Sequence, residues 1–233
     1  MSPLVIHVPY PGQALPAELF TADAPVGIGL VFAHGAGAGH RSPFMRRVAA
    51  LLANRGLDVL TFDFPYMAAG RKLPDRPPTL EAACRAAGRS LVAESHGRVR
   101  ALAIAGKSMG GRMATHVAAQ PDAWDAPVPL VAAVAFGYPL KPPGPRGGDR
   151  ISHLAALAVP VLVVQGTRDT FGGPDDLRDA ITHAPHVTVR DVPTGDHSLK
   201  ITVASGRRQD DVEAEIADDV VAFVLTAAGV DRG

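Results

Sequence analysis

The chain has 233 residues, 47% hydrophobic and 20% charged, enough to bury the core of one α/β domain spanning residues 1–233. Lys plus Arg and Asp plus Glu both count 23, so the formal net charge is zero and the global basic excess expected of a nucleic-acid-binding protein is missing. The lone cysteine, Cys84, excludes an intramolecular disulfide, and no apolar run reaches the roughly 18 residues of a membrane span. No secretory signal is readable at the amino end, so the default expectation is a cytoplasmic protein.

In chain order, short apolar runs alternate with helical patterns. Residues 4–8 are a candidate edge strand, and residues 26–33 a buried one. Ser42 is placed to cap a helix that starts at Pro43 and stops before Gly56. Residues 57–62 form the next strand. A Pro/Gly/Arg-rich loop follows at 69–78, and Thr79 is placed to cap a helix carrying Leu80, Ala83, Ala87 and Leu91 on one stripe. Strand 99–105 leads into helix 109–120, and strand 130–136 into a second Pro/Gly-rich stretch, 141–150. A short helical piece at 151–157, strand 161–164, a helix from Pro174 through Ile181 and strand 187–192 come next. A terminal helix closes the chain, with Val212, Ile216, Val220, Phe223 and Val224 on one stripe and acids in its first turn. The strands are continuous apolar runs rather than alternating ones, as strands covered on both faces are. The β-α-β-α order therefore predicts a mostly parallel sheet of about six to eight strands with helices on both faces. Too little chain lies between strands 130–136 and 161–164 for a large cap, because about a dozen residues are needed merely to cross back to the sheet.

Gly106-Lys107-Ser108-Met109-Gly110 matches G-x-S-x-G. Glycine supplies 24 residues here, so the match alone is modest; its setting, after an apolar strand and at the start of a helix, is that of a nucleophile elbow. Serine is a weak nucleophile without a base. In this arrangement the acid and then the histidine follow the serine along the chain. His197 lies in the loop beyond the last strand, whereas His116 falls inside the elbow helix and His153, His183 and His186 precede that strand. Asp169 follows strand 161–164 after a short turn, to orient and stabilise the imidazole. Asp175 and Asp176 are rivals, though acids are favoured in a first helical turn for their own sake. Asp196 is too close in sequence to His197 to face its ring. An oxyanion needs donors: the backbone N–H of Met109 is one. The loop His34-Gly35-Ala36-Gly37-Ala38-Gly39 supplies the other, from Ala36 with Gly37 as alternative, since small residues allow close approach. His34 reads as a structural loop residue and Cys84 as a small core residue. Tyr66, Arg71, Lys72 and Arg76 follow strand 57–62; with Gly37, Tyr66 and Arg71 are candidate substrate contacts, the plain alternative being a solvated basic loop. No metal-ligand spacing and no nucleotide-binding motif is present, so neither metal nor cofactor is expected.

With these motifs in order, the chain resembles the dienelactone-hydrolase-like part of the α/β-hydrolase superfamily. More narrowly it resembles the small hydrolase-like proteins related to testis-expressed protein 30 and to a regulatory subunit of a histone acetyltransferase complex. The resembling segments are the His34 to Gly39 loop with Ser42-Pro43-Phe44-Met45, Phe62-Asp63-Phe64-Pro65-Tyr66, the elbow through Gly111-Arg112, and Tyr138-Pro139-Leu140. Gln165-Gly166-Thr167-Arg168-Asp169 and Asp196-His197-Ser198-Leu199-Lys200 complete the set. The resemblance implies an α/β-hydrolase fold. Dienelactone hydrolases proper carry a cysteine nucleophile, and Ser108 at that position argues against a dienelactone substrate. The family also includes members thought to be scaffolds, and fold alone does not give function. The expected partner is a small ester or thioester substrate, with no nucleic acid and no membrane; oligomeric state is not readable. The rival expectations are a non-catalytic interaction module, or a peptidase or acyltransferase using the same triad.

Overall fold

A computed structural model describes residues 2–141 and 150–230. Strands β1 (Leu4–Tyr10), β2 (Gln13–Phe20), β3 (Ile28–Ala33), β4 (Asp58–Phe62), β5 (Ala101–Lys107), β6 (Leu130–Phe136), β7 (Val161–Gly166) and β8 (Val187–Val192) form one sheet in the order β1-β2-β4-β3-β5-β6-β7-β8. The β1–β2 and β2–β4 pairs are antiparallel and all others parallel. The helices are α1 (Pro43–Ala53), α2 (Pro65–Ala68), α3 (Pro77–Glu94), α4 (Met109–Ala118), α5 (Pro174–Ala180) and α6 (Gln209–Ala227). The expected mostly parallel α/β sheet is present. Between β6 and β7 the described residues hold only a short 3-10 turn, Ser152–Ala156, and no cap domain. Residues 142–149 of the second Pro/Gly-rich stretch lie outside the described residues. Among the described residues, no helix is long and apolar enough to cross a membrane.

Three local expectations are corrected. Strand β2 was not anticipated, because Pro16 interrupts it and proline argues against an interior strand. The β2–β4 ladder begins only at Ala17, opposite Phe62. In a strand the N and C=O of one residue face the same neighbour. Pro16 accepts from Asp63 N at 2.9 Å, so its missing donor falls on the β4 side, where the ladder has run out. Thr79 does not cap α3. Two prolines, Pro77 and Pro78, already remove two of the orphan N–H groups of the first turn, and the next two, on Thr79 and Leu80, reach Arg76 O at 3.0 and 3.4 Å. Ser42 occupies the N-cap position of α1, but its hydroxyl makes no cap bond.

Alternation across the strands divides the core. Val31, Leu60, Ile104 and Val163 face α3, α4 and α5, while Leu30, Phe32, Val59, Val134 and Val164 face α1 and α6. Both sides are apolar because both are covered. Cys84 is buried in the first of these layers, and burial pushes its thiol up, away from reactivity. After β3 the chain adds β4 on one side, and β5 then returns to the other, so the order reverses between β3 and β5. A crevice at the carboxyl ends of the strands forms at such a switch point. The loops that follow β3 and β5 meet there, Ala33 opposite Gly106.

Candidate active site

Ser108 stands between β5 and α4 with φ +51° and ψ −113°, a conformation that L residues adopt only under strain. Close packing enforces the turn. A Cβ on Gly106 would sit 2.1 Å from the Gly110 carbonyl carbon, and one on Gly110 would sit 2.3 Å from Ala33 O. The serine is thereby held at the mouth of the crevice, at the N-terminus of α4.

The three residues expected to act together do meet. His197 Nε2 is 2.8 Å from Ser108 Oγ, and His197 Nδ1 is 2.8 Å from Asp169 Oδ2. A carboxylate only accepts, so Nδ1 carries the proton and Nε2 is free to accept from the serine. The Asp169 side chain is fully buried. Its Oδ2 also accepts from Gln165 Nε2 at 2.9 Å and its Oδ1 from Phe171 N at 2.8 Å. In sequence Gln165 is only one residue of a motif; its contacts become visible in three dimensions. It is buried, donates to Gly172 O at 2.7 Å and accepts from Tyr138 N at 2.7 Å, tying the acid loop to the chain leaving β6. The Phe171 ring packs on His197 with centroids 4.3 Å apart. The rivals are placed elsewhere. Asp175 pairs with Arg178 at 3.0 Å and Asp176 with Lys141 at 2.6 Å, both exposed. Asp196 accepts from Ser198 N and Lys200 N at 2.7 and 2.9 Å, holding the turn that presents His197.

Lys107, the variable position of the elbow motif, donates to the His197 carbonyl from beneath, and its ammonium lies 5.9 Å from the Phe44 ring centroid. Burial presses it down from 10.5 to about 8, against the pull of Asp169 and Asp196. The folded protein thus binds this proton less tightly than the unfolded chain does. Its contribution to stability is full above about 10.5 and is lost as pH falls through about 8. In Lys107→Met that contribution should vanish. The change in melting temperature between pH 7 and pH 10 should be smaller, or more negative, than in the wild type, as thermal scans at the two pH values will show.

Ala36 and Met109 line the cleft beside Ser108 and His197. The Met109 N–H, first in α4, has no acceptor within its helix. His34 is structural, as expected. Its Nδ1 donates to Gly35 O at 2.8 Å and its Nε2 accepts from Phe64 N at 3.0 Å, while burial holds the imidazole below its ordinary range. Asp63 secures the far end of the loop, accepting from His40 N at 2.8 Å. The three candidate substrate contacts do not line the cleft. Gly37 turns outward at φ +76°. Tyr66 is fully buried near His34, with ring centroids 6.0 Å apart. Arg71 pairs with Asp75 at 2.7 Å. The walls instead include Arg112, Pro139, Arg150 and Phe171, around a cavity of about 540 Å³. A second cavity of about 490 Å³, bordered by Pro43, Phe44 and Met45, adjoins it across Gly35, Ala38, Lys107 and Ser198. Among the described residues no cluster of His, Cys, Asp and Glu is arranged to hold a metal ion.

An elbow serine, a histidine beyond the last strand and a buried acid after β7 on a mostly parallel sheet define the α/β-hydrolase class of site. The chain belongs to the alpha/beta hydrolase domain family, whose model matches residues 27–225. Its fold is similar to that of a lidless α/β serine hydrolase from Xanthomonas campestris, at 17% identity and TM-score 0.72 over 96% of this chain and 95% of that one. It is similar also to dienelactone hydrolase from Anabaena variabilis, at 21% identity and TM-score 0.70 over 94% and 97%. An esterase from Pyrococcus furiosus matches at 16% identity and TM-score 0.73 over 97% and 91%.

Proposed function

We propose that this protein is a cytoplasmic single-domain serine hydrolase that cleaves small carboxylic esters or thioesters through an acyl-enzyme, without a cofactor. The observation that carries the reading is the unbroken chain from Ser108 Oγ to His197 to the buried Asp169 carboxylate, 2.8 Å at each step. Ser108 Oγ attacks the acyl carbon while its proton passes to His197 Nε2, and Asp169 stabilises the resulting imidazolium. The backbone N–H groups of Met109 and Ala36 receive the oxyanion. His197 then gives the proton to the leaving alcohol or thiol. Water, deprotonated by the same nitrogen, attacks the acyl-enzyme and returns Ser108 to its free form.

A fluorophosphonate probe tests this directly. It should modify Ser108 in the folded protein, and Ser108→Ala should abolish labelling. Resistance of the folded wild type, under conditions that label known serine hydrolases, would favour a non-catalytic module on the same fold. Amide substrates and alcohol acceptors in the same assay separate hydrolysis of esters from peptidase and acyltransferase chemistry. In a series of p-nitrophenyl esters from acetate to palmitate, short soluble esters should show ordinary saturation, with no jump in rate at the solubility limit, since the described residues hold no cap that would open at an interface.

A further inference from the structure

The cleft is electrostatically one-sided. The whole chain balances 23 cationic against 23 acidic side chains. Yet the walls around Ser108 carry Lys107, Arg112 and Arg150, and no carboxylate lines them among the described residues. Asp169 lies behind His197, its side chain fully covered.

Most arginines among the described residues are ion-paired, whereas Arg112 and Arg150, like Arg76, Arg85, Arg100 and Arg168, are not. Arg46, Arg47, Arg55 and Arg98 each reach a carboxylate within 3.0 Å. Among the described residues, neither Arg112 nor Arg150 forms such a pair. The Nε of Arg112 is buried without any hydrogen-bond partner. Leaving a buried charged donor unsatisfied is costly, so the Arg112 guanidinium is incompletely satisfied by the protein itself. Arg112 follows Ser108 by one helical turn, its N–H donating to Ser108 O at 3.0 Å, and so shares the face of α4 that carries the nucleophile. Arg150 lines the same cleft. Its carbonyl accepts from the Tyr138 hydroxyl, and its Nη1 donates to Pro139 O at 3.2 Å. Burial first, and then the charge of Arg112, hold Arg150 below its ordinary range. Two guanidinium groups that repel one another beside a nucleophile are stabilised together by one anion between them.

We propose that the arginine pair Arg112 and Arg150 is an anion subsite of the catalytic cleft, and that the preferred substrate is an ester or thioester carrying a carboxylate or phosphate. The proposal rests on the hydrolase reading for its chemistry, but not for its binding. The hydrocarbon part of such a substrate has the Pro43, Phe44 and Met45 side of the adjoining cavity available to it, a cavity that Arg47, Lys200 and Glu213 also line. Anion capture here also concentrates the substrate at the nucleophile, an effect that salt weakens.

The test compares monoethyl esters of succinate, glutarate and adipate with the neutral esters in which the free carboxylate is replaced by a primary amide. An ω-phosphonate series distinguishes phosphate from carboxylate. Wild type should favour the better anionic series over its neutral partners by about 10- to 100-fold in kcat/KM, the span of one or two charge-assisted hydrogen bonds. The ratio should fall toward one in Arg112→Gln and in Arg150→Gln, and should shrink with added salt. Arg112 belongs to a helix, so thermal scans accompany its variant; Arg150, in a loop, supplies an independent one. Equal rates for anionic and neutral esters would overturn the subsite and leave the hydrolase reading standing. If no ester turns over and the probe does not label Ser108, the hydrolase reading falls. The subsite is then decided by calorimetric titration of monoethyl glutarate, its amide and the phosphonate into Ser108→Ala. Selective binding of an anion upholds it, and equal or absent binding overturns it.

Discussion

Asp169→Asn should lower kcat by about 10³- to 10⁴-fold, the scale seen when a triad histidine is forced into the wrong tautomer. The carboxylate takes donors on both oxygens: His197 Nδ1 and Gln165 Nε2 on Oδ2, and Phe171 N on Oδ1. An amide cannot reproduce this set. With its NH₂ toward His197, it opposes two donors and drives the ring proton to Nε2, where the ring no longer accepts from Ser108. With its NH₂ turned the other way, it opposes the Phe171 N–H. Either orientation leaves a buried conflict costing about 1–3 kcal/mol. At roughly 2–4 °C per kcal/mol for a chain of this size, the melting temperature should fall by about 2–12 °C. Steady-state kinetics on a short ester, with thermal scans alongside, read both effects. Full activity in this variant would remove Asp169 from the mechanism.

The second large effect is expected at the elbow. Gly106→Ala should destabilise the protein by about 3 kcal/mol or more, at the upper end of the cost of overpacking, and abolish fluorophosphonate labelling. The added methyl would lie 2.1 to 2.4 Å from the backbone of Gly110 and Gly111, and no flexible side chain is there to yield. Relief requires α4 to move off β5, which takes Ser108 out of reach of His197. Gly37→Ala is the comparison that isolates sterics. Its φ of +76° carries the backbone penalty, yet a Cβ there meets nothing within 4 Å. That variant should lose only about 1 kcal/mol. Equal destabilisation of the two variants in denaturant titrations would refute the packing account of the elbow.

Much of the machinery was legible in the sequence because it depends on local patterns. The G-x-S-x-G elbow is a steric solution, so its glycines mark it in any chain. The candidate acid and base were separable from eight other histidines and the neighbouring aspartates by their order after the apolar strands. Continuous apolar runs announced strands covered on both faces. Strand β2 escaped for a local reason, since Pro16 breaks a sheet only where a neighbour awaits its N–H, and here the β4 ladder has already ended. The helix starting at Pro77 escaped a cap-based reading because its prolines remove the donors that a cap would satisfy.

What tertiary structure decided is which side chains share the cleft. Basic residues Arg71, Lys72 and Arg76 drew attention as a cluster in sequence, but Arg71 is neutralised by Asp75, and the cleft is walled by Arg112 and Arg150, which sequence separates by a strand and a loop. Gln165 likewise acts through partners at Tyr138, Asp169 and Gly172 that meet only when β6 and β7 lie side by side. The amino-acid sequence by itself determined most of the strand-helix order and singled out the candidate nucleophile, base and acid, because backbone sterics and hydrophobic periodicity act over a few residues. The charge of the cleft, the support beneath His197 and the contacts open to a substrate came only with the fold, because electrostatics and burial depend on distance in space.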